Sequence, residues 1–526
     1  LAKKRLRKNL RLGQYLAQNA LSAADAPERC IEPLPQDRRF SSPAWRQFPF
    51  NFFEQSFLLT QQWWHNATTN VPGVTARHES LVDFYSRQML DIVSPSNFPL
   101  TNPDVIAATI AEGGANFARG LHHAIDDMNQ LLHRDGKAPP LFRPGHEVAV
   151  TPGEVVFRND LIELIQYRPT TADVHATPLL IVPAWIMKYY ILDLSPENSL
   201  IRFLVSEGHT VFCMSWVNPD ERQRDVSFDD YRQRGVMAAL DAISAITDSP
   251  SIHAAGYCLG GTLLSIAAAT MARDGDERLK SVTLLAAQVD FEEPGELGLF
   301  IDESQLAFIE DTMWQQGYLG QWQMAGAFQM LRSQDLVWSR LVREYLMGDR
   351  QPPNDLMSWN ADATRMPFRM HSDYLRQLYL HNDLSQDRFR VDGRAVHLED
   401  VHVPIFAVGT ATDHVAPWKS VFKLIHHFDT DVDFVLTSGG HNAGIVSEPG
   451  HPRRSYRKLA YRQHDPHPDP DAWRQGAVEQ QGSWWLEWAA WLAAQSETRT
   501  APPPMGNAAA GYPAMGAAPG TYVLMP

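Results

Sequence analysis

Cysteine is scarce in this sequence. Cys30, Cys213 and Cys258 lie far apart in a chain of 526 residues. They form no C-x-x-C pair and no zinc-binding pattern, so we expect neither a disulfide framework nor a metal site. This cysteine usage is typical of a reducing cytoplasm, where we expect the protein to be located.

Long apolar runs are also absent. No run approaches the ~18 residues that a membrane-spanning helix needs, so we expect no transmembrane segment. The basic stretch at residues 3–8 lacks the apolar region that follows in a signal peptide. We interpret it as a solvated helix start, with contact to an anionic surface as the alternative.

Positive charge is in deficit. The chain has 46 Lys and Arg against 61 Asp and Glu, which gives a formal net charge of −15. Nucleic acid prefers basic surfaces, so this balance argues against nucleic acid as a partner.

Apolar side chains are plentiful, at 44% of residues with 15 Trp and 24 Phe, which is enough for a large core. Changes in composition and periodicity divide the chain, with a linker at 134–140. We predict a poorly ordered segment at 1–45, a mainly helical N-terminal domain at 46–150, an α/β catalytic domain at 151–495, and a flexible Pro/Ala/Gly-rich tail at 496–526.

Short apolar runs alternate with helical segments in the catalytic domain, after an antiparallel hairpin at 154–167. This alternation is typical of a mostly parallel sheet with helices on both faces. The predicted strands lie at 178–183, 210–214, 252–256, 281–285, 404–408 and 432–436.

A long insertion interrupts this alternation. Residues 291–398 contain no clear strand, and an insertion of this size after a sheet strand is typical of a lid over an active site. A helical subdomain that only adds stability is the alternative. The aromatic residues of the insertion are Phe300, Trp314, Trp322, Phe328, Trp338, Tyr345, Trp359, Phe368, Tyr374 and Tyr379.

The motif Gly256-Tyr257-Cys258-Leu259-Gly260 lies between a predicted strand and a predicted helix. It matches the nucleophile elbow G-x-S-x-G with Cys in place of Ser. The glycines give space to a strained apex, and the helix start offers free N–H groups to a thiolate or an oxyanion. A buried cysteine that only packs is the alternative interpretation of Cys258.

Two residues downstream fit the partners of such a nucleophile. Asp413 follows the predicted strand at 404–408, and His441 lies in a Gly-rich loop after the strand at 432–436. The order nucleophile, acid, histidine is that of the hydrolase-type sheet. Asp413 as a helix N-cap is the alternative, and His414 is a second polar candidate beside it.

Further motifs in the sequence resemble those of polyhydroxyalkanoate synthases of the single-subunit kind, which belong to the α/β-hydrolase superfamily. The resemblance runs from about residue 37 to the end of the chain. Its matching segments include 94–97, 101–103, 164–167, 188–193, 196–199, 256–262, 335–338, 359–360, 413–418 and 482–485. It implies an α/β-hydrolase-like sheet with a helical lid, preceded by the helical N-terminal domain.

The resemblance also implies roles for residues. Cys258 would be the acyl-carrying nucleophile, His441 the general base and Asp413 its partner. The residues expected near the oxyanion or the substrate are the backbone of Leu259, and Ile191, Asp193, Tyr257 and His414.

Two segments depart from the family pattern. Residues 183–187 read Pro-Ala-Trp-Ile-Met where the family commonly has Pro-Pro-x-Ile-Asn. Residues 438–444 read Ser-Gly-Gly-His-Asn-Ala-Gly where it commonly has Ser-Gly-His-Ile-Ala-Gly. The first departure bears on monomer preference, and the second on the geometry of the histidine loop.

The implied activity is polymerisation of (R)-3-hydroxyacyl-CoA, with 3-hydroxybutyryl-CoA as the expected monomer, into polyhydroxyalkanoate with release of CoA. CoA enters as part of the substrate, so no cofactor is expected. The implied partners are the growing polyester chain, the surface of polyester granules and a second subunit in a homodimer. The alternatives are a thioesterase or polyester hydrolase with the same triad, and a non-enzymatic granule scaffold.

Overall fold

The structure is a computed structural model that describes residues 2–21, 28–34, 37–132, 141–321, 323–324, 326, 337–496 and 498–526. The linker expected at 134–140 and the aromatic residues Trp322 and Phe328 lie outside these ranges. Within them, no helix is both long enough and apolar enough to cross a membrane.

The chain divides into two compact units. The first comprises Leu1–Ala138 and Gly326–Pro352, and the second Pro139–Ala325 and Pro353–Pro526. Part of the insertion expected at 291–398 therefore groups with the N-terminal helices. This division differs from the one drawn from composition, because packing across the chain is invisible in local patterns.

The first unit is helical. The α-helices of its N-terminal part are α1 (Ala2–Leu21), α2 (Phe50–Thr68), α3 (Ala76–Ile92), α4 (Pro103–Ala111) and α5 (Ala115–Leu132). Helix α1 shows that much of the segment predicted to be poorly ordered is helical. A small core forms around Phe40, Trp45, Phe57 and Leu58.

Helix α5 holds the insertion segment of the first unit. That segment has a short α-helix at Ser339–Leu341 and a π-helix at Val342–Leu346. The Asn116 amide donates to the Leu346 carbonyl at 2.8 Å, and Arg350 pairs with Asp127 at 2.7 Å. A Cβ on Gly120 would overlap the Tyr345 carbonyl, so glycine is needed for this close approach.

An 11-stranded sheet, counted over the described residues, organises the second unit. Its strands are β1 (Gly153–Arg158), β2 (Ile162–Tyr167), β4 (Leu179–Val182), β5 (Val211–Trp216), β6 (Ile252–Tyr257), β7 (Leu279–Leu285), β12 (Ile405–Thr410), β13 (Val432–Thr437), β14 (Ser455–Tyr461), β15 (Val478–Gln481) and β17 (Gly516–Ala517). Their order across the sheet is β15-β14-β13-β12-β7-β6-β4-β5-β2-β1-β17. The six central strands from β13 to β5 pair in parallel, and the outer pairs are antiparallel.

All six strands predicted from apolar runs are present, and so is the hairpin. Strands β4, β5, β6 and β12 are buried at every residue, and β7 and β13 at all but one residue each, as strands covered on both faces should be. Their pattern confirms the predicted α/β-hydrolase-like sheet. The α-helices of the second unit are α6 (Leu200–Ser206), α7 (Phe228–Asp230), α8 (Ala238–Thr247), α9 (Leu259–Asp274) and α10 (Glu303–Trp314), followed by Asp355–Asn360, Phe368–Tyr374, Trp418–Phe422, Pro470–Gly476 and Trp485–Gln495.

The insertion also contains strand structure that its sequence did not indicate. Short pairs outside the main sheet are β8 (Tyr318–Leu319) with β9 (Met366–Pro367), and β10 (Arg390–Val391) with β11 (Arg394–Ala395). A further pair joins β3 (Val174–His175) to β16 (Arg499–Thr500). Two-residue strands are too short to produce a period-2 pattern.

The segment at 498–526 is folded, so the prediction of a flexible tail is wrong. Its strand β17 pairs with β1, and Val523 is buried. The carboxylate of Glu163, itself buried, accepts hydrogen bonds from the N–H groups of Thr521 and Tyr522 at 2.8 and 2.9 Å. The Pro/Gly-rich composition therefore serves tight turns along a sheet edge.

Candidate active site

Cys258 occupies the apex of a sharp turn between β6 and α9. Its backbone has φ +53° and ψ −124°, a conformation that is unfavourable for a residue with a side chain. The Cys258 N–H donates to the Leu285 carbonyl at 2.9 Å, which fixes the turn on the neighbouring strand β7. The predicted nucleophile elbow is thus present as a structure.

Neighbouring glycines allow this turn. A Cβ on Gly260 would overlap the carbonyl oxygen of Val182 and would lie 2.7 Å from the Pro183 carbonyl carbon. A Cβ on Gly256 would overlap the backbone of Gly261. The elbow therefore packs directly against the end of β4, and only glycine fits at both positions.

His441 and Asp413 meet beside the elbow. Asp413 follows β12 and His441 follows β13, which are neighbours in the sheet. His441 Nδ1 lies 2.8 Å from Asp413 Oδ2. Because a carboxylate only accepts, this contact assigns the proton to Nδ1 and leaves Nε2 for chemistry.

Asp413 is itself held in place. Its Oδ2 also accepts from the Thr410 hydroxyl at 2.5 Å, and its Oδ1 accepts from the N–H groups of Val415 and Ala416 at 2.8 and 2.9 Å. Burial raises the pKa of this carboxyl, but the charge of His441 and these hydrogen bonds outweigh it and hold the pKa low. Asp413 is therefore a charged, oriented acceptor as well as a cap of the following turn.

The charge on His441 is stabilised by its surroundings. Burial disfavours the imidazolium, but the charges of Asp413 and Cys258 and hydrogen bonds to both raise its pKa well above the usual range. The raised pKa of His441 therefore has causes in Cys258 as well as in Asp413. A histidine held by a carboxylate and lying beside a thiol is the arrangement by which a base activates a cysteine nucleophile.

Tyr257 belongs to a polar chain that the sequence did not indicate. Its hydroxyl donates to Asn442 Oδ1 at 2.6 Å, and Asn442 Nδ2 donates to Asn360 Oδ1 at 3.3 Å. The Tyr257 ring lies 5.7 Å from the His441 ring, centroid to centroid. The only signal in the sequence was the departure Gly-His-Asn in the histidine loop.

Aromatic side chains from the insertion pack against the loop after β4. Burial raises the pKa of Tyr374 and Tyr379, and the charge of Cys258 adds to the rise in both. Tyr374 also contacts Trp185, with ring centroids 6.3 Å apart. Tyr374 thus joins Trp185 and Tyr379 in one cluster of rings within the second unit.

Trp185 lies in the loop that departs from the family pattern. Its carbonyl accepts from the Thr364 hydroxyl at 2.7 Å, and the Pro183 carbonyl accepts from Trp216 Nε1 at 2.8 Å. The Trp185 ring packs against Phe228 and Tyr231 at 5.7 and 5.3 Å. Trp185 stands at the variable position of the family pattern, so its ring fills the loop after β4 without being a departure, and the departures themselves are Ala184 and Met187.

The remaining predicted residues have different surroundings. Leu259 is the first residue of α9, where N–H groups have no acceptor within the helix. Ile191 is buried in the core, and Asp193 accepts from Thr151 and Ser199 hydroxyls at 2.5 and 2.6 Å. His414 is exposed. Leu259 thus begins the helix that follows Cys258, and Asp193 bonds to buried hydroxyls rather than to Cys258, Asp413 or His441.

A cleft beside Asp413 is lined by residues 292–295 and 417–420. Cys258 is not among the residues that line this cleft, so the cleft is not assigned as the acyl site. Among the residues described, no group of three or more His, Cys, Asp or Glu side chains is arranged to hold a metal ion.

Two family models match this chain, one over its helical N-terminal region and one over the sheet with the elbow. Residues 36–204 match the family described as the poly-beta-hydroxybutyrate polymerase (PhaC) N-terminus, and residues 177–447 match the family described as the alpha/beta hydrolase fold. The two matches overlap at residues 177–204, which contain strand β4 and most of helix α6. They cover both the helical region and the elbow with its partners.

Curated relatives match most of the chain. It is 44% identical over 504 residues to a poly(3-hydroxyalkanoate) polymerase of Methylorubrum extorquens, covering 95% of this chain and 82% of the relative. It is 39% identical to the poly(3-hydroxyalkanoate) polymerase subunit PhaC of Rhizobium meliloti, with coverages of 95% and 82%. For the PhaC subunit of Cupriavidus necator the identity is 38%, with coverages of 95% and 85%. The chain therefore belongs to the poly(3-hydroxyalkanoate) polymerase family, with residues 177–447 built on the α/β-hydrolase fold.

Proposed function

We propose that this protein polymerises (R)-3-hydroxyacyl-CoA, with 3-hydroxybutyryl-CoA as the expected monomer, and releases CoA through an acyl group carried on Cys258. The single observation that carries the proposal is the strained Cys258 beside the hydrogen-bonded pair His441–Asp413. The relatives named poly(3-hydroxyalkanoate) polymerases support the polymerising activity.

The first step forms an acyl-enzyme. The Cys258 thiolate attacks the thioester carbonyl, the bond to the CoA sulfur breaks, and the departing thiolate takes the proton from His441. In the proposal the N–H of Leu259, at the positive end of α9, stabilises the oxyanion. One thioester replaces another, so the exchange is nearly balanced in free energy.

The second step extends the polyester. His441 accepts the proton of a 3-hydroxyl, and that oxygen attacks the acyl carbonyl on Cys258 and displaces the sulfur. Asp413 keeps the proton on Nδ1 so that Nε2 can act as the base. An oxygen ester replaces a thioester, which makes elongation downhill.

Water must be excluded for chains to grow, because hydrolysis of the acyl-enzyme would end them. Tyr374, Tyr379 and Trp185 supply an apolar wall that suits this need. We also propose that the insertion acts as a lid over the acyl site. A thioesterase or polyester hydrolase with the same triad is the alternative function, and it would not require the wall to keep water out.

The proposed partners follow from the activity. The growing polyester chain is the product that stays with the enzyme, and the granule surface is where it accumulates. A homodimer is proposed on the family resemblance alone.

The test is to give the purified protein (R)-3-hydroxybutyryl-CoA and to measure CoA release together with insoluble polymer. We expect both, in proportion, and a loss of at least about 10³-fold in Cys258→Ala, because the covalent step is lost. The matched control is Cys213→Ala, which removes a buried thiol that lies on β5.

Each outcome has a clear meaning. CoA release with only free hydroxy acid would replace polymerisation by hydrolysis. Full activity in Cys258→Ala, or no CoA release from the native protein, would overturn the proposal.

A further inference from the structure

The Asn442 side chain occupies a distinctive place, between the triad and the insertion. One side of its amide faces Tyr257, the residue next to the nucleophile, and the other faces Asn360 at the end of the insertion helix Asp355–Asn360. We propose that Asn442 is a positioning residue, which holds Tyr257 against His441 and ties the insertion to the triad. The inference rests on the proposed function.

The polarity of the chain follows from its donors and acceptors. The Tyr257 hydroxyl donates to Asn442 Oδ1, so the Asn442 Nδ2 group is left to donate to Asn360 Oδ1. Tyr257 is only 3% exposed, so its hydroxyl has no ready alternative in bulk water. An orphaned buried hydroxyl is costly, which gives Asn442 a specific physical role.

Tyr257 connects this chain to the chemistry. Its ring packs at 5.7 Å from His441. Burial raises the pKa of its phenol, and the nearby charges of Cys258 and Asp413 raise it further, so it stays a neutral donor. A shift of the Tyr257 ring would therefore change the surroundings of both the imidazole and the thiol.

The main chain of the histidine loop does not depend on the Asn442 side chain. The Gly444 N–H donates to the Gly440 carbonyl at 2.7 Å, and indole N–H groups of Trp484 and Trp485 donate to the Gly444 and Ile445 carbonyls at 3.0 and 2.9 Å. Replacing the side chain should thus leave the loop folded. Isoleucine, the common family residue here, is the natural substitution.

The insertion helix that ends at Asn360 is anchored to the loop after β4. Trp359, the residue before Asn360, donates through Nε1 to the Lys188 carbonyl of that loop at 2.7 Å. Lys188 in turn pairs with Asp362 at 2.9 Å. The Asn442 amide therefore joins an insertion segment that is already fixed near the elbow to the turn that carries His441.

The experiment compares Asn442→Ile, Tyr257→Phe, the double variant and Asn360→Ala in CoA release. We expect Asn442→Ile to lower kcat about tenfold with KM within about twofold, because it orphans the Tyr257 hydroxyl. Tyr257→Phe alone should lose about twofold, and adding it to Asn442→Ile should restore kcat to within about threefold of native, since no hydroxyl is then orphaned. Asn360→Ala should lower kcat about threefold.

A second readout does not need polymerisation: the pH dependence of Cys258 alkylation by iodoacetamide. The pH midpoint of the alkylation rate should shift by about half a pH unit in Asn442→Ile and should return to the native midpoint in the double variant. Asn66→Ala, on an exposed face of α2, is the matched control and should change nothing.

The outcomes separate the two proposals. If native protein releases no CoA, the proposed function fails while the alkylation profiles still test Asn442. An unshifted profile with a lowered Tm in Asn442→Ile, or no rescue by Tyr257→Phe, would make Asn442 merely structural and overturn the inference. Native kcat in Asn360→Ala would overturn the link to the insertion.

Discussion

At the scale of single residues, the site depends on charge placed in a buried setting. Burial raises the pKa of Asp413, but the charge of His441, with the hydrogen bonds from Thr410 and the backbone, lowers it, and Asp413 in turn raises the pKa of His441. This arrangement favours a protonated His441 between the carboxylate of Asp413 and the side chain of Cys258. The two residues follow adjacent parallel strands, so their contact depends on the sheet rather than on local sequence.

The role of Asp413 gives a residue-scale prediction. Asp413→Asn should lower the rate of CoA release by about 10³–10⁴-fold, because an amide cannot both accept from Nδ1–H and stabilise the imidazolium. The control is His414→Ala, which changes the exposed neighbouring residue and should stay within about twofold of native. Steady-state CoA release measures both, and an equal loss in the two variants would contradict this assignment.

At the scale of elements, the elbow is one strand, one turn and one helix that can only pack as closely as glycine allows. Helix α9 begins directly after Cys258, and nearly all of its side chains are buried. The position of the thiol is therefore set by contact between backbones. Small changes there should act on folding and activity together.

Gly260→Ala tests this contact. The added Cβ would overlap the Val182 carbonyl oxygen at the end of β4, and backbone atoms yield poorly, so we expect a loss of about 3 kcal/mol in the free energy of unfolding. The control is Gly476→Ala, whose added Cβ would meet only the Leu459 side chain at 3.7 Å and should be within about 0.5 kcal/mol of native. Denaturant unfolding measures both; a Gly260→Ala protein as stable as native would show that β4 can move.

At the scale of the whole molecule, buried histidines make stability depend on pH. Burial, with neighbouring positive groups, lowers the pKa of His209 to about 3 and of His253 to about 4, and burial lowers that of His371 to about 4. Asp193 acts in the opposite direction, since burial raises its pKa to about 6. His441 also acts in the opposite direction, since its pKa is raised, and the three histidines outnumber these two groups.

The sign follows from proton uptake. Below a pH of about 6.5 the unfolded chain protonates these histidines while the folded chain does not, so the free energy of unfolding falls as pH falls toward 4. Asp193 offsets part of this loss below its folded pKa, because there the folded state holds a proton that the unfolded state has released. We expect lower denaturant midpoints at pH 5.0 than at pH 7.5, and a smaller difference in His371→Phe. A midpoint that rises on acidification would contradict this balance.

The sequence predicted much of this structure because many of its signals are local. Six buried strands, the elbow around Cys258 and the loops of Asp413 and His441 came from apolar runs, glycines and chain order. The folded segment at 498–526 was missed because Pro and Gly are read as flexible until a partner appears, here Glu163. Asn442 was noticed only as a departure, since its partners lie 185 and 82 residues away.

By itself the sequence determined the α/β sheet, the family and the candidate nucleophile, because periodicity, steric demands on glycine and chain order are properties of the chain alone. Tertiary structure decided what surrounds the thiol. It brought His441 to Asp413, joined Tyr257, Asn442 and Asn360, and divided the insertion between two units. These are contacts between distant segments, and their energy depends on burial and distance that only the folded chain defines.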